Sequence, residues 1–108
     1  MTRKILVRHV ADCPGIDLLR ERLAEIGHDH ADVEIAFELV ATVEEALDLG
    51  FCGSPTVLID GRDYFAIEGA TPGLSCRLYR TEQGFATAPS VGQLRQALSS
   101  SSRRYARD

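Results

Sequence analysis

The chain has no tryptophan, a single methionine and only three cysteines, at positions 13, 52 and 76. An odd number of irregularly spaced cysteines is not the disulfide framework of a small extracellular domain, so reduced or reactive thiols are expected. Long hydrophobic runs are also missing. The first apolar run, Ile5-Leu6-Val7, stops at Arg8 after three residues, far short of the roughly 20 that a membrane helix needs and too short for the core of a leader. The expected setting is cytoplasmic, with no membrane partner. Basic excess is missing too: the net charge is -4, and the one basic cluster, Arg103-Arg104 with Arg107, lies in a serine-rich stretch. Nucleic acid is therefore not an expected partner.

What is present is an ordinary globular composition, 44% hydrophobic and 26% charged, in a length that suits one domain with a modest core. The reading places that domain over residues 1–98 and a polar tail over 99–108, which lacks apolar periodicity and is expected to fray. Lys4 to His9 reads as a strand buried on both faces and parallel to the next. From Pro14, a good first helical residue, Ile16, Leu19, Leu23 and Ile26 repeat at helical spacing until Gly27. Val33, Ile35, Phe37 and Leu39 alternate with more polar residues and predict an edge strand.

Thr42-Val43-Glu44-Glu45 is a capping box opening a short helix to Gly50. Thr56 to Ile59 is a third strand, closed by the turn dipeptide Asp60-Gly61. Leu74 to Arg80 is expected as a fourth, after an irregular excursion over residues 62–73. Ser90-Val91-Gly92-Gln93 is a second capping box and starts a last helix. The order β-α-β-α-β-β-α predicts an α/β domain with a four-stranded mixed sheet covered by helices.

Two short motifs carry chemistry. Cys13-Pro14 lies where the first strand gives way to the first helix, and backbone N–H groups at a helix N-terminus stabilise a thiolate. Gly53-Ser54-Pro55-Thr56 lies directly before the third strand, where an X-Pro bond can be cis and turn its backbone toward a ligand. In element order and in these two motifs, the chain resembles the thioredoxin-like superfamily over nearly its whole length. It is most similar to small bacterial members with one cysteine, in an Asp-Cys-Pro sequence, at the active turn.

The resemblance implies a thioredoxin-like fold with Cys13 as nucleophile. It also implies that Pro14, Ser54, Pro55 and Thr56 bind substrate, with Ser54-Pro55 as a cis-proline clamp. Ile16 stands where a dithiol enzyme carries its resolving cysteine, so the implied activity is monothiol thiol-disulfide exchange with a protein or small-molecule thiol or disulfide as partner. A lone thiolate stops at the mixed disulfide until a second thiol attacks. No bound cofactor is implied. Glutathione or another low-molecular-weight thiol would serve as co-substrate, or Cys52, three residues before Pro55, would resolve the intermediate.

Each residue also has a plainer reading. Asp12 reads as the N-cap of the first helix, Cys52 as a small packed residue, and Cys76 as a packed thiol at the end of the sheet remote from Cys13. His9 reads as a strand-end residue, and His28 and His30 as solvated turn residues without metal-ligand spacing. Two other functions compete with the redox enzyme. One is a non-catalytic thioredoxin-like binding module. The other is soft-metal or organomercurial chemistry, similar in purpose to an alkylmercury lyase, with Cys13, Cys52 and Cys76 converging on one ion.

Overall fold

Ile5 and Val7 are fully buried while Leu6 between them is half-buried, as a strand at the centre of a sheet requires. In the computed structural model, which describes residues 3–107 and the side chains of 3–100, this strand is β1 (Arg3–His9). There follow α1 (Ile16–Asp29), β2 (Val33–Leu39), α2 (Val43–Leu49), β3 (Thr56–Ile59), β4 (Tyr79–Thr81), β5 (Gly84–Ala86) and α3 (Val91–Arg107). β2 lies parallel to β1 with Ile35 opposite Ile5, and β3 lies antiparallel with Ile59 opposite Ile5. The sheet order is β2-β1-β3, so β1 is central and β2 forms an edge, as its alternating pattern predicts.

The sheet has three strands, not the expected four. After β3, Asp60-Gly61 reverses the chain and Arg62 bonds back to Ile59, as the dipeptide predicts. The returning segment does not lie along β3. It touches the proline loop through one parallel bridge, Ser54 to Cys76. Strand structure resumes only at β4, which pairs antiparallel with β5 in a separate hairpin. Within the predicted strand over 74–80, Arg77 and Tyr79 are held by their side chains. Arg77 reaches Asp63 and the Phe65 carbonyl, and Tyr79 donates its hydroxyl to the Pro55 carbonyl. Those bonds fix the segment without a ladder.

The helices follow their sequence signals except at three ends. In α2, the Thr42 hydroxyl accepts from the Glu45 N–H at 3.1 Å, and Gly50 closes the helix in the left-handed region at φ 66°. In α3, the Ser90 hydroxyl accepts from the Gln93 N–H at 3.1 Å while the Gln93 side chain accepts from the Ser90 N–H at 3.0 Å. α1 begins at Ile16 rather than Pro14 and is capped by Gly15 without a side-chain bond, so Asp12 is not its N-cap. A separate turn takes up residues 11–15: Asp12 has φ 54°, which aspartate tolerates better than most residues, and the Ile16 N–H bonds to the Cys13 carbonyl at 3.2 Å. The helix also passes Gly27, where alanine-like space is open, and ends at Asp29.

α3 continues through Arg107, where a frayed tail is expected from residue 99. Serine costs a helix little, so the serine-rich stretch does not stop it.

The main core lies between the sheet and the α1–α3 pair. Ile5, Val7, Val57 and Ile59 from the sheet meet Leu19, Leu23 and Ile26 of α1 and Leu94 and Leu98 of α3. Each fully buried aliphatic side chain contributes roughly 1.5–3 kcal/mol. A second, smaller cluster of Val40, Ala46 and Phe51, with Val10 against it, lies under α2.

Candidate functional site

Cys13 sits in the turn between β1 and α1, at the end of the sheet where β3 begins. Gly15 holds this turn against the neighbouring loop: a Cβ there would lie 2.2 Å from the Thr87 carbonyl oxygen, so only glycine fits. Beyond β1, the Val10 N–H donates to the Ser54 hydroxyl at 3.0 Å, tying the connection that carries Cys13 to the proline loop. The Ser54-Pro55 peptide bond is cis. Ser54, Pro55 and Thr56 are all buried, and the Thr56 hydroxyl donates to the Gly53 carbonyl. Pro14 is exposed.

The proline loop is covered by the chain's own segment 75–77. The Ser54 N–H donates to the Ser75 carbonyl at 2.8 Å, and the Ser54 carbonyl accepts from the Arg77 N–H at 2.9 Å. Both backbone groups expected to bind a ligand are therefore occupied. Gly53, at φ 129°, allows this approach, since a Cβ there would come within 2.9 Å of the Arg77 Cβ.

Tyr79 completes the arrangement. Burial pushes its phenol well above the ordinary tyrosine range, the Arg77 guanidinium opposes this, and negative charge on Asp63 and Cys13 adds to the rise. The Tyr79 hydroxyl thus stays a proton donor to the Pro55 carbonyl. Arg77 is itself buried; it pairs with Asp63 at 2.8 Å and lies 4.6 Å from the centre of the Tyr79 ring.

The three thiols are all reduced and differ from their expected settings. Cys13, expected as a nucleophile, is only 5% exposed, because Gly15 seats the turn tightly on the loop at Thr87. Cys76, expected to be packed and remote, is exposed and bridged to Ser54 at the Cys13 end, because the excursion folds back across the sheet. Cys52 is half-buried, its thiol directed at the Gly50 and Ala70 carbonyls at 3.4 and 3.8 Å. It lines a cavity of about 270 Å³ with Arg8, Thr56, Asp63 and Arg77, and Cys13 is not part of that lining.

Among the described residues, no three His, Cys, Asp or Glu side chains converge to hold a metal ion. Cys13, Cys52 and Cys76 are therefore not the metal cluster considered from the sequence, because Cys52 turns toward the excursion. His28 is exposed, and His30 caps α1 through its N–H to the Ile26 carbonyl at 2.9 Å. The His9 ring bonds to the Val10 carbonyl and stacks edge-on to Phe37, a strand-end role. No described helix is long and apolar enough to cross a membrane.

Sequence reasoning missed Arg77 and Tyr79. Their signal was the alternation in Arg77-Leu78-Tyr79, which puts the two on one side of an extended chain. No protein-family model matches the chain, and no curated protein is similar to it in sequence.

Proposed function

We propose that this is a thioredoxin-like thiol redox protein, a monothiol thiol-disulfide oxidoreductase with Cys13 as nucleophile and the Ser54-Pro55 loop beside it. The observation that carries this reading is the meeting of the β1–α1 connection and the cis Ser54-Pro55 bond at one end of the sheet, joined by the bond from the Val10 N–H to the Ser54 hydroxyl. The parallel β1–β2 pair and antiparallel β3 agree with the thioredoxin-like arrangement, although its fourth strand is replaced by a hairpin. In the reaction, the Cys13 thiolate attacks one sulfur of a disulfide and releases the other as a thiol. A second thiol, such as glutathione, then frees Cys13. The protein works in the cytoplasm on thiol or disulfide partners.

The 5% exposure of Cys13 and the covered proline loop favour a second reading, a binding module in which Cys13 is a packed residue. Turnover separates the two. With glutathione as reductant, the protein should reduce a small disulfide at a rate lost in Cys13→Ser and kept in Cys52→Ser. A folded wild-type protein whose Cys13 forms no mixed disulfide and drives no turnover would establish the binding module instead.

A further inference from the structure

The bond pattern at Ser54 has the form of a bound peptide. A peptide that docks by strand addition uses both backbone groups of the receiving residue and places one of its own residues beside it. Here residues 75 and 77 supply those two bonds, and the residue set beside Ser54 is Cys76. Bridged residues on neighbouring strands lie about 4.8 Å apart. Val10, three residues before Cys13, bonds to the Ser54 side chain. Tyr79, three residues after Cys76, bonds to Pro55. The chain leading into the Cys13 turn and the segment that carries Cys76 thus both attach to Ser54, and Cys76 has the place a substrate cysteine would take.

We propose that Cys76 is the resolving thiol of the site, forming a reversible disulfide with Cys13 across the Ser54-Pro55 loop. The inference rests on Cys13 being the nucleophile proposed above and puts Cys76 in place of the external thiol as the group that resolves its mixed disulfide. The Cys13 thiolate attacks a disulfide RS–SR, forming a Cys13–S–S–R bond and releasing one RS⁻. The Cys76 thiolate then attacks the Cys13 sulfur, and the second RS⁻ leaves with the electron pair of the broken bond. The two protein thiols lose two electrons and two protons in total, and two RSH are released. Two molecules of a low-molecular-weight thiol reduce the Cys13–Cys76 bond and leave as their own disulfide, restoring both cysteines.

A disulfide needs its Cα atoms about 4.4–6.8 Å apart. Segment 74–78 holds Cys76 beside the proline loop and open to solvent: Arg77 anchors it through Asp63 and Phe65, while Leu74, Ser75, Cys76 and Leu78 are exposed. Exposure of Cys76 also leaves it open to the reducing thiol.

Glutathione disulfide is the probe. Wild-type protein treated with it, digested without reduction and mapped by mass, should yield a Cys13–Cys76 linked peptide pair. Cys52→Ser should yield the same pair. Cys76→Ser, whose exposed position leaves folding intact, should stop at glutathionylated Cys13, with resolution by added glutathione slowed at least tenfold. A linkage through Cys52, or Cys76→Ser turning over at the wild-type rate, would overturn the resolving role while leaving Cys13 as nucleophile. A wild-type protein with no adduct or linkage at Cys13 would overturn both readings together.

Discussion

On the face of the sheet that carries Ile5, Val7, Val57 and Ile59, two helices bury a continuous core, whereas on the other face α2 shelters little more than Val40, Ala46 and Phe51. The difference begins in the helices themselves. α1 has 14 residues and presents three fully packed positions, Leu19, Leu23 and Ile26. α2 has 7 residues and buries only Ala46, leaving Val43, Leu47 and Leu49 exposed. Stability is thus concentrated on one side of the sheet. The other side carries the cavity beside Cys52 and the excursion that folds back to the proline loop.

The largest expected effect tests this asymmetry directly. Leu23→Ala on the thick face should cost about 2–5 kcal/mol, while Leu47→Ala on the thin one should change stability by no more than about 0.5 kcal/mol. Denaturant titration of both variants makes the comparison, and equal losses would break it. Next, Gly15→Ala drives a methyl group into the Thr87 carbonyl. It should cost about 1–3 kcal/mol or more and lift the Cys13 turn off its seat, so that Cys13 alkylates faster than in wild type. Unchanged labelling would mean that the turn is not what shields Cys13.

Tyr79→Phe should cost about 1–2 kcal/mol by leaving the buried Pro55 carbonyl without its donor. It carries a pH signature as well. Folded Tyr79 keeps its proton above the ordinary tyrosine value of 10.0, at which the unfolded chain loses its own. Above about pH 10 the unfolded state therefore holds fewer protons, and stability falls as pH rises. Below that range Tyr79 adds no pH dependence. Wild type should lose stability through this alkaline window more steeply than Tyr79→Phe, and parallel curves would contradict the buried phenol. The smallest effect belongs to the thin face: Thr42→Ala removes the α2 cap and should cost about 1 kcal/mol, read from thermal unfolding.

The sequence made most of the thick face legible, because periodicity reports burial. Leu19, Leu23 and Ile26 recur on one helical face, Ile5-Leu6-Val7 marks a central strand, and Ser90 with Gln93 announces α3. Thr56 to Ile59 is a strand over the residues its pattern predicts. The return from the excursion was less legible, since side chains rather than pattern decide it. Leu74 to Arg80 has strand-like composition, but Arg77 is spent on Asp63 and Phe65 and Tyr79 on Pro55, and no local rule anticipates partners that far away. The same holds for the site. The positions of Cys13 and Pro55 follow from strand-to-helix and loop-to-strand boundaries, whereas the exposure of Cys76 depends on a crossing made by a different part of the chain.

Arg77 has a consequence for how the protein opens. In sequence it is an arginyl peptide bond between two exposed neighbours, Cys76 and Leu78, and so a natural target for a trypsin-like protease. Its side chain, however, is 6% exposed and engaged with Asp63 and Phe65, and a protease must place that guanidinium in its own specificity pocket. Cleavage after Arg77 therefore waits until the side chain lets go of the excursion, which also loosens the segment bonded to Ser54. The nick acts as a clock for uncovering of the proline loop, and a ligand that occupies Ser54 in place of residues 75–77 would set it running faster.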